Sequence, residues 1–392
     1  MGPLEGITVL ALEQAVAAPF CTRQLADLGA RVIKIERPGT GDFARHYDER
    51  VHHLSSHFVW CNRSKESLTL DVKHPDSAAI LSRLLEKTDV FVQNLGPGSA
   101  GRLGLSHADL EGLHPQLIVC DISGYGSTGP YCNRKAYDLL IQAEAGFLAV
   151  TGTPEESVKA GCAIADIAAG MYAYSNILAA LVSRGKTGRG CRIDVSIFES
   201  LVEWMSYPLY YGFDGTTAPL RTGASHSTIF PYGPFAAGDG GMVLLAVQNE
   251  QEWKAFCRHV LNDPDLALDP RFASVSRRSA ARPELKVIID RVFSALTTQQ
   301  VREKLDSAAI ANGRLNEIDE VWAHPQLKAR HRWVEVETPT GSIPALLPPG
   351  LPSGWAPRMD AVPALGQHTA AILEELGFEQ TDISRFRSQH VV

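Results

Sequence analysis

The segment ITVLALEQAVAAPFCTRQLADLGARVIKIE (7–36) sets the fold class of this chain. Its first part, 7–12, is a short apolar run that predicts a buried strand. The part at 19–29 predicts a helix that ends at a glycine, and 31–36 predicts a second strand. A strand, a helix and a strand in this order make a βαβ unit, which is the building block of a parallel sheet.

The same alternation continues toward the middle of the chain. We expect strands at 67–72, 90–94 and 117–126, with helices over 75–87 and near 107–112. Strands that are separated by helices predict a parallel, doubly wound sheet. The fold class that we expect is therefore α/β, with a Rossmann-like large domain.

The glycine-rich signatures of nucleotide cofactors do not occur in this alternating region. The turn after the first strand reads EQAVAAP (13–19) and lacks the GxGxxG of dinucleotide-binding folds. The segment GPGSAGRLG (96–104) is rich in glycine, but no Lys-Ser or Lys-Thr pair follows it, so a surface turn is its default interpretation. NAD and FAD binding are therefore not indicated.

The parallel pattern stops near residue 205, and a smaller α+β domain is expected beyond it. A hairpin with its turn at Asp239-Gly240-Gly241 opens that domain. The expected division is a large domain over 1–205 and 358–392, a small domain over 222–330, and linkers over 206–221 and 331–357.

The composition predicts a globular protein that folds in water. Charged residues make up 21% and hydrophobic residues 45% of the chain, and we expect no apolar run to be long enough to span a membrane. A net charge of −7 argues against a nucleic-acid partner, whose phosphates require a basic surface. The seven cysteines form no CxxC pair, so neither a metal site nor a disulfide framework is indicated. We expect a cytoplasmic protein without a membrane partner.

A single carboxylate, Asp166, stands in the small and apolar segment KAGCAIADIAAG (159–170). One interpretation is that Asp166 caps the helix that follows, because aspartate readily accepts bonds from free backbone N–H groups. The other is that Asp166 is a nucleophile, because the small residues around it leave room for a large electrophile and carboxylates attack acyl groups. These residues alone favour capping, and the two roles are compatible.

An ordered set of segments resembles the type III CoA-transferases, also called the formyl-CoA transferase, CaiB and BaiF family. The matching segments, besides the one around Asp166, are LGARVIKIERPGTGD (28–42), NRSKESLTLDVKHP (62–75), VFVQNLGPGSAGRLGL (90–105), ISGYGSTGP (122–130), RKAYD (134–138), KTGRG (186–190), PYGPF (231–235) and AHPQLKAR (323–330). Their order and spacing follow those of the family.

The resemblance implies that Asp166 attacks the thioester of an acyl-CoA and carries CoA to a free acid through an aspartyl anhydride and an aspartyl-CoA thioester. No cofactor besides coenzyme A itself is then needed. The CoA contacts that the resemblance implies are Val16, Ala17, Arg37, Leu70, Asp71, Val72, Lys73, Asn94, Leu95, Gly96, Arg102, Arg134, Lys135, Ala136 and Tyr137. Cations in this set suit the phosphates of CoA.

Two further enzyme features are implied by the resemblance. Tyr137 stands where the α-methylacyl-CoA racemases of the family place a histidine base, and a tyrosine is a poor base near neutral pH. Val16 stands where the oxalate-using branch carries glutamine, so formyl-CoA and oxalate are disfavoured. A short dicarboxylate is the acceptor that we expect, with His226 and Arg45 as candidate contacts for its second carboxylate, although a loop histidine and a surface arginine are equally compatible.

Three functions thus remain open on the sequence. The first is a CoA-transferase that acts on an acyl-CoA and a small carboxylate, the second is an acyl-CoA racemase or epimerase, and the third is a CoA-binding protein without turnover. The resemblance also implies an interlocked homodimer, in which each chain threads through its partner.

Overall fold

The computed structural model describes residues 2–216, 219–350 and 352–392. The chain divides into two compact units. The first comprises the described residues of Met1–Gly146, Ala160–Met205 and Gln326–Val392, and the second those of Phe147–Lys159 and Ser206–Pro325.

Strands and helices alternate along most of the chain. In chain order, the strands are β1 Thr8–Leu12, β2 Arg31–Glu36, β3 Lys65–Thr69, β4 Val90–Gln93, β5 Ile118–Ser123, β6 Arg192–Ser196, β7 Tyr232–Ala236, β8 Met242–Ala246, β9 Ala311–Arg314, β10 Trp333–Thr338 and β11 Gly341–Leu346. The α-helices are α1 Ala17–Asp27, α2 Ser56–Asn62, α3 Ser77–Glu86, α4 Ser99–Arg102, α5 His107–Leu110, α6 Asp138–Glu144, α7 Phe147–Val150, α8 Ile164–Thr187, α9 Ile197–Trp204, α10 Ser206–Tyr211, α11 Glu250–Ala255, α12 Val275–Ala280, α13 Arg282–Phe293, α14 Thr298–Ser307, α15 Ile318–Trp322, α16 Pro325–Ala329, α17 Thr369–Glu375 and α18 Gln380–Ser388. Short 3-10 helices cover Phe43–His46, Phe213–Gly215, Pro264–Leu268 and Pro270–Phe272, and a π-helical turn covers Phe256–Val260.

Strands β1 to β6 form one parallel sheet in the first unit. Their spatial order is β3-β2-β1-β4-β5-β6, so the direction of winding reverses between β1 and β4. This order is that of the Rossmann-type sheet, and the prediction of a doubly wound parallel α/β fold is confirmed. Ligands of such sheets bind outside the carboxyl ends of the strands at the point of reversal, which places a cleft after β1 and β4.

The central strand β1 is buried on both of its faces, which explains why its sequence is apolar throughout instead of alternating. Leu10 and Leu12 pack into a core with α3, α17 and α18. Val9 and Ala11 point to the opposite face and pack into a second core with α1 and α8. The sheet therefore lies between two helical layers.

Helix α8 spans the second of these layers. In the described part of the chain it is the one helix that is long and apolar enough to cross a membrane, with a mean hydropathy of 1.3. The expectation that no run reaches this length was therefore wrong. One such helix is weak evidence for a membrane span, because core helices meet the same criteria, and Ala169, Ala173 and Ile177 of α8 are fully buried in the core shared with α1.

The second unit contains an antiparallel sheet in the order β7-β8-β9. Strands β7 and β8 pair across the turn that the sequence predicted. Phe235, Val243 and Leu245 from this sheet pack with the helices α11, α13 and α14 around a separate apolar core. The hairpin prediction is thus confirmed.

The two expected linkers contain regular structure. Helix α10 lies within 206–221, and an antiparallel hairpin of β10 and β11 lies within 331–357. The hairpin forms because its alternate residues Val336 and Ile343 are buried, the former against Phe58 of α2. Pairing between the two strands of the hairpin satisfies their backbone groups.

Candidate active site

A cavity of about 310 Å³ opens at the carboxyl ends of β1, β4 and β5, within the first unit. It lies at the reversal point of the sheet, where the fold favours a ligand. Most of the predicted site residues line it, namely Val16, Ala17, Arg37, Asn94, Leu95, Gly96, Arg134, Lys135, Ala136, Tyr137 and Asp166. Residues separated by up to about 150 positions in sequence are thus brought to one place by the crossovers of the sheet.

Asp166 lies in the first turn of α8, which begins at Ile164, and its carboxylate faces the cavity. It therefore does not cap the helix, and the capping interpretation of Asp166 was wrong. The free backbone N–H groups of Ala165 and Asp166 donate instead to Oδ1 of Asp138, at 2.8 and 3.4 Å. Because another helix supplies the cap, the carboxylate of Asp166 is left available to a ligand.

Burial in this first turn raises the pKa of Asp166 to about 7, and the negative charge of Asp138 adds to the shift. Both causes disfavour the ionised form, the first by desolvation and the second by repulsion between like charges. Near neutral pH the carboxyl of Asp166 is thus present in both protonation states. A carboxyl tuned in this way suits nucleophilic or acid–base chemistry.

Helix α8 approaches the loop after β1 closely, and Gly170 makes this approach possible. Gly170 follows Asp166 by four residues and so lies on the same face of α8, one turn further on. A Cβ atom at Gly170 would lie 2.7 Å from the carbonyl oxygen of Ala17. The glycine therefore allows the helix to place Asp166 beside the residues that begin α1.

The loop after β1 forms one wall of the cavity, and its backbone is held in an uncommon conformation. Ala15 has a φ of 62°, in the left-handed region. The side chain of Asn94, which follows β4, accepts from the N–H of Gln14 at 2.9 Å and donates to its carbonyl oxygen at 2.9 Å. Asn94 thus joins the loops that follow the two strands at the reversal point.

Three cations line the cavity: Arg37, Arg134 and Lys135. The guanidinium of Arg134 lies 3.6 Å from the ring centre of Tyr131, so its plane is held by the aromatic ring. Arginine forks and lysine point charges are the groups that bind phosphates. The cavity can therefore hold an anionic ligand of the size and charge of a nucleotide.

Tyr137 precedes helix α6 and also lines the cavity. Its side chain is 67% exposed. Packing within the fold does not account for such exposure. Tyr137 is therefore exposed at the wall of the cavity.

Two groups of predicted CoA contacts lie outside this cavity. The side chain of Leu70 is buried in the core of the sheet, so any contact from it to a ligand is restricted to its backbone. Asp71 accepts the N–H of the exposed Lys73, and Val72 packs against the same core. Arg102 donates to Ser99 Oγ at 2.7 Å, within the glycine-rich loop that leads away from the cavity.

The two candidate contacts for a second carboxylate, Arg45 and His226, do not line this cavity either. Arg45 forms a two-pronged ion pair with Glu36, at 2.8 Å on each side, and lies over the ring of Phe58. The donors of Arg45 are thus used within the fold, and this residue is not part of the proposed site. His226 belongs to the second unit, where its ring stacks on Tyr232 and its Nδ1 accepts backbone N–H groups.

Several residues of the site were missed by sequence reasoning. Asp138 lies in the matching segment 134–138, but the sequence predicted no role for it. An acid in the first turn of a helix is a recognisable signal of a favourable charge at a helix start. Ala15 and Phe43 also line the cavity. The left-handed conformation of an alanine has no signal in the sequence, because it is imposed by contacts from distant residues.

Comparison with known proteins assigns the chain to a family. The model of CoA-transferase family III matches residues 4–369. The chain belongs to CoA-transferase family III. Among the relatives of this family III protein, the succinyl-CoA:glutarate CoA-transferase of Homo sapiens is 34% identical over 396 residues, covering 100% of this chain and 90% of the human protein. The acetyl-CoA:oxalate CoA-transferase of Acetobacter aceti is 34% identical over 336 residues, covering 85% of this chain and 86% of that protein.

A solved structure supports the same family III assignment. The crystal structure of a CAIB/BAIF family protein from Brucella suis superposes with a TM-score of 0.83 at 33% identity, covering 96% of this chain and 99% of that one. The resemblance drawn from the sequence segments is thereby confirmed, and the chain is a transferase of CoA.

Proposed function

We propose that this family III enzyme transfers CoA from a CoA thioester to a short dicarboxylic acid, with Asp166 as the nucleophile. The observation that carries the proposal is the position of the Asp166 carboxylate. It faces a cavity lined by cations, at the reversal point of the sheet, and its pKa is raised to about 7. A partly buried carboxyl whose pKa is shifted in a cleft is a candidate catalytic group.

The reaction balances without water or an added proton. An oxygen of Asp166 attacks the thioester carbonyl of the donor, the C–S bond breaks, and CoA thiolate leaves a mixed anhydride. The thiolate then attacks the aspartyl carbonyl, which releases the donor acid and forms an aspartyl-CoA thioester. The acceptor carboxylate attacks that thioester, its C–S bond breaks, and CoA thiolate leaves a second anhydride. The thiolate then attacks the acceptor carbonyl of this anhydride, which gives the new CoA ester and the free carboxylate of Asp166.

The surroundings of Asp166 suit this sequence of steps. The attacking form is the carboxylate, and a pKa near 7 leaves a substantial ionised fraction at neutral pH while keeping the oxygen basic. Asp138 holds the first turn of α8 through the N–H groups of Ala165 and Asp166. We assign Asp138 the role of a positioning residue.

The cations of the cavity account for binding of the CoA part in this proposal. Arg37, Arg134 and Lys135 bind the phosphates of CoA, which are anionic and multidentate. Val16 and Ala17, at the start of α1, lie beside the reacting thioester. No metal or other cofactor takes part in the proposed steps.

The proposed acceptor is a short dicarboxylate, with glutarate and succinate as the first acids to test. The support comes from the segments around His226 and 231–235 and from the activity for which the human relative is named. The relative from Acetobacter aceti is named for oxalate, so oxalate belongs in the same comparison. Val16 disfavours oxalate in our interpretation, because the oxalate branch carries glutamine there.

We further propose that the enzyme acts in the cytoplasm as an interlocked homodimer. An apolar groove of about 890 Å³ in the first unit is lined on one side by Met171, Leu178 and Val182 of α8. In the second unit Tyr210 and Phe213 are 78% and 67% exposed. Large apolar surfaces of this kind mark interaction sites, and a second copy of the chain is the occupant that we propose.

Mass spectrometry of CoA thioesters tests the proposed function. In separate reactions in D₂O, the protein is incubated with succinyl-CoA and one of the acids glutarate, malate, itaconate or oxalate. Asp166→Asn is treated in the same way. New thioesters that form with the wild type and not with Asp166→Asn are the expected result. Unchanged thioesters that gain deuterium at the α-carbon would instead establish a racemase, and CoA binding without either change would establish a binding protein.

A further inference from the structure

Four charged side chains are buried together behind the loop that follows β1. They are Glu13, Lys34, Asp42 and Lys65, and each is at most 3% exposed. Lys34 Nζ lies 2.8 Å from Asp42 Oδ2 and 3.3 Å from Glu13 Oε1, and Lys65 Nζ lies 2.6 Å from the same Glu13 oxygen. Two acids and two bases balance, so the cluster carries no net charge. Burial of such a cluster costs desolvation free energy, so a role for it beyond stability is expected.

Asp42 is the member of the cluster that reaches the wall of the cavity. Its Oδ1 accepts the backbone N–H of Ala15 at 3.1 Å and that of Ala44 at 2.9 Å. Ala15 belongs to the loop after β1, and Phe43, the neighbour of Ala44, lines the cavity that Asp166 faces. One carboxylate therefore joins two separate segments of that wall.

The bond to Ala15 acts on a backbone that does not adopt this shape unaided. A φ of 62° is disfavoured for any residue that has a Cβ atom. Asn94 holds the preceding residue, Gln14, through both its N–H and its carbonyl oxygen. Asp42 holds Ala15 itself, and Lys34 fixes Asp42 from behind. The left-handed turn is thus imposed from two sides.

We propose that Asp42 is a positioning residue for the transfer reaction. It acts through Ala15 and Phe43, which it keeps in the arrangement that the thioester requires opposite Asp166. The inference rests on the proposed function, because it assigns a role in that reaction. It also makes a separate claim about the resting protein, which is that the loop after β1 loses its fixed conformation without Asp42.

The first test compares Asp42→Ala with a matched control, Asp27→Ala. Alanine is used because asparagine would keep an oxygen that can accept the N–H of Ala15. Asp27 is 2% exposed and accepts from Arg23 and Arg63, so this variant also removes one carboxylate from a buried ion cluster, at the far end of α1. We expect the amides of Gln14 to Val16 to exchange with deuterium at least about tenfold faster in Asp42→Ala and at the wild-type rate in Asp27→Ala. Equal exchange in the wild type and Asp42→Ala would overturn the inference, whatever the activity.

The second readout is the kinetics of transfer. A shift of about 1 Å in the cavity wall formed by the loop after β1 is expected to lower kcat by about tenfold to a hundredfold. The apparent pKa of the rate should stay unchanged, because the cause is geometry and not a change of charge beside Asp166. If Asp42→Ala and Asp27→Ala lost the same amount of stability and had the same kcat, a positioning role would be contradicted. A shifted pH profile in place of a lower plateau would contradict it as well. A wild-type protein that transfers CoA to no acid would refute the proposed function, while the exchange experiment would still decide on the loop.

A second variant tests the same link without disturbing a buried charge. Ala15→Pro removes the N–H that donates to Asp42 and cannot adopt a positive φ. We expect it to lower kcat as well. Because the two changes share the contact between Asp42 and Ala15, the combined loss in the double variant should be smaller than the product of the two single losses. Losses that multiply in the double variant would show that Asp42 does not act through Ala15.

Discussion

Oδ1 of Asp138 accepts the backbone N–H of Asp166 at 3.4 Å, so the charge that adds to the effect of burial in raising the pKa of the proposed nucleophile also caps the helix that carries it. The two carboxylates thus have distinct tasks. Asp138 takes the helix-capping role that the sequence had indicated for Asp166, and Asp166 is left free to face the cavity.

This relationship predicts the pH dependence of the reaction. In the proposed mechanism the carboxylate of Asp166 is the attacking form, and the pKa of this group is raised to about 7. The value of kcat/KM should therefore rise with pH and level off above about pH 7. Asp138→Asn removes the repelling charge but keeps an oxygen that can accept the N–H groups of α8. The midpoint should then move to lower pH with a similar plateau, as measured by initial rates over a pH range of about 5 to 9. An unmoved midpoint would show that burial alone sets the pKa of Asp166.

The raised pKa of Asp166 also predicts how stability depends on pH. The folded protein holds a proton on Asp166 up to about pH 7, whereas the unfolded chain loses it near the ordinary value of 3.8. Between these values the folded state binds more protons, so its stability falls as pH rises through the window. Asp166→Asn removes this loss. We expect the variant to be more stable than the wild type by about 1 to 3 kcal/mol at about pH 8 and equal to it near pH 4, as measured by urea unfolding.

Gly170 offers a packing test with a control in the same helix. Gly170→Ala would bring a Cβ atom within 2.7 Å of the Ala17 carbonyl oxygen, and the resulting shift should cost about 1 to 3 kcal/mol and lower the rate of transfer. Gly185 also lies in α8, and a Cβ atom added there would meet no atom within 4 Å. Gly185→Ala should therefore stabilise the protein by about 0.5 to 1 kcal/mol and leave activity unchanged. Thermal unfolding and kcat of both variants are the measurements.

The cations of the cavity predict an effect on binding of the CoA ester. Arg37→Gln and Lys135→Gln should each raise KM for the CoA ester by about tenfold, because charge-assisted bonds to phosphate are lost. Lys73→Gln is the control, because Lys73 is exposed and lies outside the cavity. The effect should weaken at high ionic strength. If Lys73→Gln raised KM as much as the two cavity variants, the phosphates would bind beyond this cavity.

Sequence patterns predicted the elements that depend on local order and missed those that depend on distant contacts. The apolar runs of β1 and β2 and the hairpin of β7 and β8 follow from neighbouring residues, and they were predicted correctly. The cap of α8 comes from Asp138, which is 28 positions from Asp166, and no local pattern shows such a partner. The sequence does not show that Arg45 pairs with Glu36, because this contact forms only in the folded chain. Arg45 was therefore predicted as a ligand contact.

The order of the strands has a consequence for how the enzyme can diversify. The wall of the cavity is built from loops that follow β1, β4 and β5, whereas the two apolar cores lie between the sheet and its helices. Side chains in those loops can therefore change with little effect on the packing that holds the sheet together. Laboratory evolution toward a new acceptor acid should accept substitutions at such positions as Pro97, which is exposed in the loop after β4, and it should reject them at Asp42, where one side chain serves the loops and the interior at once.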